Sequence, residues 1–223
     1  YNEGAVIRSV IKDLQQAFKD SGYAPKIVVV NDGSKDNTAA EAAAAGAHVV
    51  SHILNCGSGG ATATGLSYAY QNDYDIAATL DADGQHDPKE VLAGIKIMDE
   101  GNHDLLIGSR LINSEGMSAV KQLGNKGLSM ITYVLFGINV TDSQSGLRVF
   151  SQRALAELKW KTSGYEFCSE MLWRAKQLKL RIGEYPITAI YTEYSKAKGQ
   201  NNWNAFNIVK SLVRRRVVEF FDE

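Results

Sequence analysis

The sequence predicts an open, mostly parallel α/β sheet flanked by helices. Three observations predict it. Short apolar runs alternate with helical patterns over the first half of the 223 residues. The run Lys26-Ile27-Val28-Val29-Val30 is continuously apolar after its lysine, as in a strand buried on both faces. Polar residues recur just after these runs, at Asp32, Asp81, Asp83 and Arg110. Sheets of this kind bind ligands at the carboxyl ends of their strands.

Each element has a local reason. Val6, Ile7, Val10, Ile11, Leu14 and Phe18 recur at helical spacing, which predicts an amphipathic helix over 4–20, ended by Ser21-Gly22. After the strand at 26–30 and the turn Asn31-Asp32-Gly33-Ser34, Asp36 caps an alanine-rich helix that stops at Gly46. His48 to Ile53 is the next strand. The loop Asn55-Cys56-Gly57-Ser58-Gly59-Gly60 leads into a helix through Tyr70, and the following strand ends at Asp81. Asp87, Pro88 and Glu90 sit at the N-cap, first and third positions of a helix ending near Gly101. Asp104 to Gly108 is a strand closed by Ser109-Arg110. Lys121 to Phe136 is helical, and Asp142 to Arg148 is a polar loop before a short apolar strand. Glu166 to Leu178 is a helix with Phe167, Met171, Leu172 and Ala175 on one face; Arg181 to Thr192 is extended. Thr192 to Asn202 is a polar loop, and an amphipathic helix over about 203–221 carries Arg214-Arg215-Arg216. No repeat or linker interrupts the chain, so residues 1–223 are expected to form one domain.

Net charge is −1, which supplies no basic field for nucleic acid. Two cysteines, Cys56 and Cys168, make no disulfide framework and suit a reducing compartment. No apolar run is long enough to cross a bilayer. A membrane role is therefore expected to be peripheral, on the cytoplasmic face, or to use segments outside this sequence, with 203–221 as a candidate interfacial helix or the lead-in to membrane-spanning helices.

The most informative stretch is Leu80-Asp81-Ala82-Asp83-Gly84-Gln85-His86-Asp87-Pro88. Paired carboxylates at a strand end suit a hard divalent cation, Mg2+ or Mn2+, which shares its oxygen ligands with substrate phosphates. The chain has no P-loop, and no G-x-G-x-x-G follows its first strand. The Gly57–Gly60 loop reads as a tight turn where backbones approach closely. A metal is then the expected neutraliser of a departing diphosphate.

At this point the chain resembles family 2 glycosyltransferases of the GT-A fold, a Rossmann-like architecture. Asn2-Glu3, Asn31-Asp32-Gly33-Ser34, Asn55-x-Gly57, Asp81 to Pro88 and Gly108-Ser109-Arg110 carry the likeness, in order over nearly the whole chain. Ser145-Gly146-Leu147-Arg148 and Tyr194-Ser195-Lys196 resemble the dolichyl-phosphate mannose synthase and polyprenyl-phosphate branch. The resemblance implies that Tyr1, Asn2, Glu3, Asn31, Asp32, Asn55, Gly57 and Asp81 bind the donor, a UDP- or GDP-sugar. It implies that Asp81, Asp83 and Gln85 hold the metal. Arg110, Ser145, Arg148, Ser195 and Lys196 would hold the phosphate of a polyprenyl acceptor, with Asp83, Arg110 and Arg148 as the catalytic set. The implied reaction inverts the anomeric centre. A phosphate acceptor is already ionised and needs cationic positioning rather than a base. The alternative acceptor, a sugar hydroxyl of a cell-surface glycan, would need a carboxylate base, for which Asp142 is the candidate.

Two departures stand out. The apolar first strand of the family is missing before Tyr1, and Cys56 with Ser58-Gly59-Gly60 replaces bulkier residues, which leaves donor preference open. Two other classes compete. Haloacid-dehalogenase phosphatases also end a strand in Asp-x-Asp-Gly, but on their first strand and without Gln after it. A non-catalytic nucleotide-sugar sensor is the other alternative, which the intact acidic motif argues against. His48 and His52 share a strand face with no third metal ligand in the sequence. His86 is expected to brace its turn, Cys168 to lie in the core, and Glu166 and Glu170 to border the acceptor region.

Overall fold

The computed structural model describes residues 1–114 and 117–190. Ser195, Lys196 and the helix expected over 203–221 lie outside the described residues.

Six strands and seven helices alternate through the described residues. The first helix, α1 (Ile7–Phe18), precedes β1 (Val28–Asn31), α2 (Thr38–Ala44) and β2 (His48–Ser51). Then follow α3 (Gly57–Gln71), β3 (Ile76–Thr79), α4 (Pro88–Asp99) and β4 (Leu105–Ser109). The second half adds α5 (Ala119–Phe136), β5 (Arg148–Ser151), α6 (Gln152–Glu157), α7 (Phe167–Gln177) and β6 (Ile182–Pro186).

The expected single sheet registers as two. β1 and β2 pair in parallel, and a four-stranded sheet has the order β3-β5-β4-β6. β4 and β6 are parallel, whereas β5 runs antiparallel to both β3 and β4. The antiparallel strand arises because β5 enters from the polar loop at the carboxyl ends of its neighbours. Its first residue, Arg148, sits opposite Thr79 and Ile107.

Alternation along the strands sorts the apolar residues onto two helical layers. Leu105, Ile107 and Phe150 pack with α3, α5, α6 and α7. Leu106 and Val149 face α1 and α4. Helix α1 joins the two sheets. Ile7 and Ile11 pack over Val29 and Val49, while Leu14 and Phe18 belong to the cluster of Leu106 and Val149.

Local chemistry explains the boundaries. Asp36 accepts the Thr38 amide at 3.0 Å, and Gly46 ends the α2 turn at φ +89°. Asp87 caps α4 through the Lys89 amide at 2.8 Å, with Pro88 next. Glu90 does not complete a capping box; it accepts the Thr188 amide at 2.7 Å instead. The glycine loop is shorter than expected, because α3 already starts at Gly57. Gly137, at φ +64°, terminates α5. Helix α6 carries too few residues to show a period and was not expected.

The sheet is clasped at the end opposite its polar loops by Asp104. Its buried carboxylate accepts the Arg181 amide at 2.8 Å and Arg181 Nε at 3.1 Å, while its carbonyl accepts the Ser151 amide at 3.0 Å. These bonds join the starts of β4 and β6 to the end of β5. Hydrogen bonds from Arg181 hold the Asp104 carboxyl below its ordinary range, against the opposing effect of burial. A carboxylate lowered on folding stabilises the fold above its unfolded value, and that contribution disappears as pH falls through the lowered one. Asp104→Asn should therefore reduce stability at neutral pH and flatten the acid-induced loss below about pH 4, read by urea unfolding across pH.

Candidate active site

The chain leaves β3 through Leu80 into the acidic motif, so the strand itself stops two residues before Asp81. Among the described residues no donor hydrogen-bonds to the Asp81 carboxylate, which is exposed. Protein nevertheless surrounds it, and this pushes its carboxyl above the ordinary range, while Arg110 and Arg148 oppose the push. Gly146 lies against Asp81, and a methyl group there would collide with Asp81 Oδ2. Asp83 is half-buried and also raised, first by burial and then by the Asp81 charge. The Gln85 amide and its side-chain Nε2 both donate to Asp83, at 3.0 and 2.9 Å.

These features fit a divalent cation. Two carboxylates repel each other, one has no donor among the described residues, and Glu3 adds further negative charge to both. Gln85 has its amide nitrogen turned to Asp83, so it orients that carboxylate. His86 is buried, its Nδ1 has no partner among the described residues, and burial pushes its pKa down to about 4. It is therefore neutral near pH 7.

The two arginines differ sharply. Arg110 grips Asp142 through Nε at 2.7 Å and Nη2 at 2.9 Å, and its amide donates to the same carboxylate at 3.2 Å. Asp142 is completely buried. Its amide and that of Thr141 donate to Glu184 Oε1 on β6, at 3.2 and 2.9 Å. The expected role of Asp142 as a base is corrected on this ground, since its oxygens are occupied by a guanidinium.

Arg148 is 1 % exposed. It donates to the carbonyls of Ser145 (3.0 Å), Ser143 (2.8 Å) and Cys168 (3.3 Å), and to Met171 Sδ at 3.0 Å. Its expected direct grip on a phosphate is therefore corrected: the guanidinium lies behind the polar loop and faces backbone. Ser145 is buried and its hydroxyl has no partner among the described residues. The same loop is tied from outside by the Ser143 amide to Ser129 Oγ (2.9 Å) and by Gln144 Nε2 to Ser169 Oγ (3.2 Å).

The residues expected around the donor cluster at the end of β1. The Asn2 and Glu3 amides donate to Ser34 Oγ (2.9 Å) and Thr38 Oγ1 (2.8 Å), and Asn2 accepts the Lys35 amide at 2.9 Å. Tyr1 is half-exposed beside them. Asn31 is buried and donates to Ser51 Oγ at 3.1 Å. Asp32 accepts the Cys56 and Gly57 amides at the start of α3, at 2.7 and 2.9 Å, and Asn55 Nδ2 donates to its carbonyl at 3.0 Å.

His52 was missed as a participant. Its Nδ1 meets Asp32 Oδ1 at 2.7 Å and its Nε2 meets Thr64 at 2.9 Å. Only the return of β2 beside β1 creates that contact, which no spacing in the sequence encodes. Asp32, His52 and Cys56 bring metal-capable atoms within 4.8 Å of one another, but the carboxylate is already satisfied by the histidine and two amides.

The glycine-rich loop behaves as a close approach of backbones. The Gly59 amide donates to the Ser163 carbonyl at 2.8 Å, and Gly57, at φ +82°, has no room for a side chain against the same carbonyl. Buried Glu170 holds that neighbouring segment, accepting the Lys161 and Thr162 amides at 2.9 and 2.8 Å. Glu170 therefore acts as a brace. Cys168 is buried, as expected for a core residue.

Comparison with known proteins follows the same lines. Residues 1–159 match the profile of glycosyl transferase family 2. The chain is 41 % identical to UDP-N-acetylglucosamine–dolichyl-phosphate N-acetylglucosaminyltransferase of Methanococcus voltae, over 100 % of this chain and 95 % of that protein. It is 29 % identical to undecaprenyl-phosphate mannosyltransferase of Micrococcus luteus, over 89 % of this chain and 84 % of that one. Glucosyl-3-phosphoglycerate synthase of Mycobacterium tuberculosis, solved with Mn2+, UDP-glucose and phosphoglyceric acid, superposes with a TM-score of 0.70. Identity there is 21 %, over 97 % of this chain and 76 % of that one, a likeness of fold: the GT-A fold expected from the sequence.

Replacing Arg148 by methionine would take their donor from the buried Ser143 and Ser145 carbonyls, while the Cys168 carbonyl lies inside α7. Each such loss costs about 1–3 kcal/mol. Arg148→Met should therefore lower the urea midpoint markedly, whereas Gln144→Ala, at a half-buried position, should lower it far less.

Proposed function

We propose, from the premise that the chain belongs to glycosyl transferase family 2 and is a glycosyltransferase, that it moves a hexose from a UDP- or GDP-sugar to a polyprenyl phosphate, inverting the anomeric centre. The observation that carries the acceptor class is the Arg110–Asp142 pair. It occupies the carboxylate that was the candidate base for a hydroxyl acceptor, and a phosphate acceptor needs none. Relatives named for dolichyl and undecaprenyl phosphate support the same class. The M. voltae relative makes UDP-N-acetylglucosamine the first donor to test.

The residues divide the work. Tyr1, Asn2, Glu3, Asn31, Asp32, Asn55 and Gly57 form the donor side, with Asp32 held in place by His52 and the start of α3. Asp81 and Asp83 would hold Mg2+ or Mn2+, which when bound supplies charge neutralisation for the departing nucleoside diphosphate. Gln85 keeps Asp83 in orientation, and Gly146 leaves room for Asp81. Arg110 presents its cation in a plane set by Asp142, and Ser145, buried in the neighbouring loop, stands on the acceptor side in this reading. Such pre-set positions align an ionised phosphate for attack at low entropic cost. Arg148 acts through the loop it holds. Ser195 and Lys196 complete the acceptor side in this reading and lie outside the described residues. No helix among the described residues is long and apolar enough to cross a membrane, which makes peripheral attachment the mode proposed.

The test is transfer of label from UDP-N-acetylglucosamine, then from other UDP- and GDP-hexoses, into detergent-dispersed dolichyl or undecaprenyl phosphate with Mn2+ or Mg2+. Labelled lipid that vanishes with chelator is expected, and Asp83→Ala should cut the rate at least about a hundredfold. Full activity in that variant would sink the metal assignment. Donor hydrolysis with no labelled lipid for any donor would sink the acceptor.

A further inference from the structure

Besides the acidic motif, the chain holds a second group of metal-capable atoms. Among the described residues, Asp32, His52 and Cys56 are the one set of three that brings a carboxylate oxygen, an imidazole nitrogen and a thiol within 4.8 Å of one another. Three elements fix them. β1 and β2 pair in parallel with Asn31 opposite Ser51, so Asp32 and His52 leave the two strands side by side. The His52 amide donates to the Asn31 carbonyl at 2.9 Å. Cys56 immediately precedes α3, and its amide donates to Asp32 Oδ1 at 2.7 Å. The loop before it is pressed against the β1 turn, where a Cβ on Gly33 would stand 2.7 Å from the Asn55 nitrogen. His48 takes no part; its ring lies 4.9 Å from that of Tyr68. The third ligand beside the strand histidine is therefore a thiol.

The donor set selects the ion. A thiol, an imidazole and a carboxylate suit four-coordinate Zn2+, whereas Mg2+ and Mn2+ prefer oxygen alone. Tetrahedral bonds to Zn2+ place such ligand atoms about 3.4–3.6 Å apart. His52 Nδ1 and Asp32 Oδ1 stand 2.7 Å apart, so Asp32 is satisfied without an ion because a proton lies between the two. Zn2+ takes the place of that proton, and the pair opens by less than about 1 Å. The imidazole stays neutral: its proton moves to Nε2, which lies 2.9 Å from Thr64 Oγ1. A metal-bound histidine donates its other N–H to such an acceptor, which fixes ring and tautomer. The Cys56 thiol leaves a weak contact with the Leu54 carbonyl at 3.4 Å and loses its proton to solvent. Both amides stay on Asp32, one on each oxygen. Asp32 is buried and Cys56 exposed, so an ion can enter from solvent and keep water as its fourth ligand. A carboxylate–histidine brace by itself requires no thiol at its edge.

We propose that Asp32, His52 and Cys56 form a Zn2+ site whose occupation shuts out the donor nucleotide; the exclusion rests on the donor-side reading of Asp32, the metal site does not. The probe is Cd2+ added to the full chain and followed by its ultraviolet thiolate-to-metal charge-transfer band, with Zn2+ then added in competition. A one-to-one band that Zn2+ displaces and excess Mn2+ does not is expected. Cys56→Ser should abolish the band and weaken Zn2+ binding about a hundredfold or more at an unchanged thermal midpoint, and Thr64→Val should weaken it about tenfold. Without Zn2+, Cys56→Ser should transfer sugar at the wild-type rate. Should Cys56→Ser fail to fold, the wild type carries the test: Zn2+ should slow maleimide labelling of Cys56 about tenfold or more, located by mass spectrometry. Absence of a band overturns the proposal, as does a band that survives in Cys56→Ser, whose remaining thiol is Cys168. Labelling of Cys56 at the same rate with and without Zn2+ overturns it too. With Mn2+ in excess, binding of UDP-N-acetylglucosamine should fall as Zn2+ fills the wild-type site and stay constant in Cys56→Ser. Donor binding that ignores Zn2+ while the band persists upholds the metal site and removes Asp32 from the donor side.

Discussion

One buried guanidinium organises the polar end of the sheet. Arg148 has no carboxylate partner among its hydrogen bonds; it faces the carbonyls of Ser143, Ser145 and Cys168. A buried cation is tolerated only when its donors are filled, so this arrangement permits one loop conformation and penalises others. That loop conformation sets three further things. It places Gly146 against Asp81, it leaves the Ser145 hydroxyl without a partner among the described residues, and it brings Asp142 beneath Arg110. The positive charge also reaches Asp81 and partly offsets the upward push of its surroundings. Positioning and electrostatics thus come from the same side chain.

The parallel units were legible because their signals are local. A β-branched run, Gly46 at a helix end and the Asp87-Pro88 start each declare an element within a few residues. The reversed direction of β5 was not legible. Val149 and Phe150 read as an apolar strand, but direction is set by which neighbours the strand joins, and β3 lies about seventy residues earlier. The site divided in the same way. Asp81, Asp83 and Arg110 stand at strand ends, where topology places ligands, so their neighbourhood followed from the alternation. The partners of Arg148 and of Asp142 did not, because they depend on α7 and β6 packing over the loop. An arginine in a polar loop reads as a surface anion-binder until its carbonyl partners are seen. His52 was hidden for a related reason, since its bond to Asp32 exists only across two parallel strands.

The acidic pair and the glycine loop illustrate opposite uses of small residues. At Gly146 the missing side chain makes space for the Asp81 carboxylate. At Gly57 and Gly59 it lets two backbone segments meet, with Trp160 Nε1 closing the contact on the Gly59 carbonyl at 3.1 Å. The second use stiffens the floor beneath the start of α3, whose amides hold Asp32. The proposed donor side and the proposed metal side are thereby carried on separate supports, one from each sheet, and α1 is the element common to both.

The strand order has a consequence for how the chain acquires its shape. β3 and β4 are successive along the sequence but never pair; β5, synthesised some forty residues after β4, must slide between them. Until it does, β3 and β4 each keep an unpaired edge, and the loops bearing Asp81 and Arg110 have no shared frame. Such late insertion raises contact order, slows the final step and leaves edges open to wrong partners. During translation the first two-stranded sheet can close while the second waits, so the polar end of the larger sheet takes its shape late in biosynthesis.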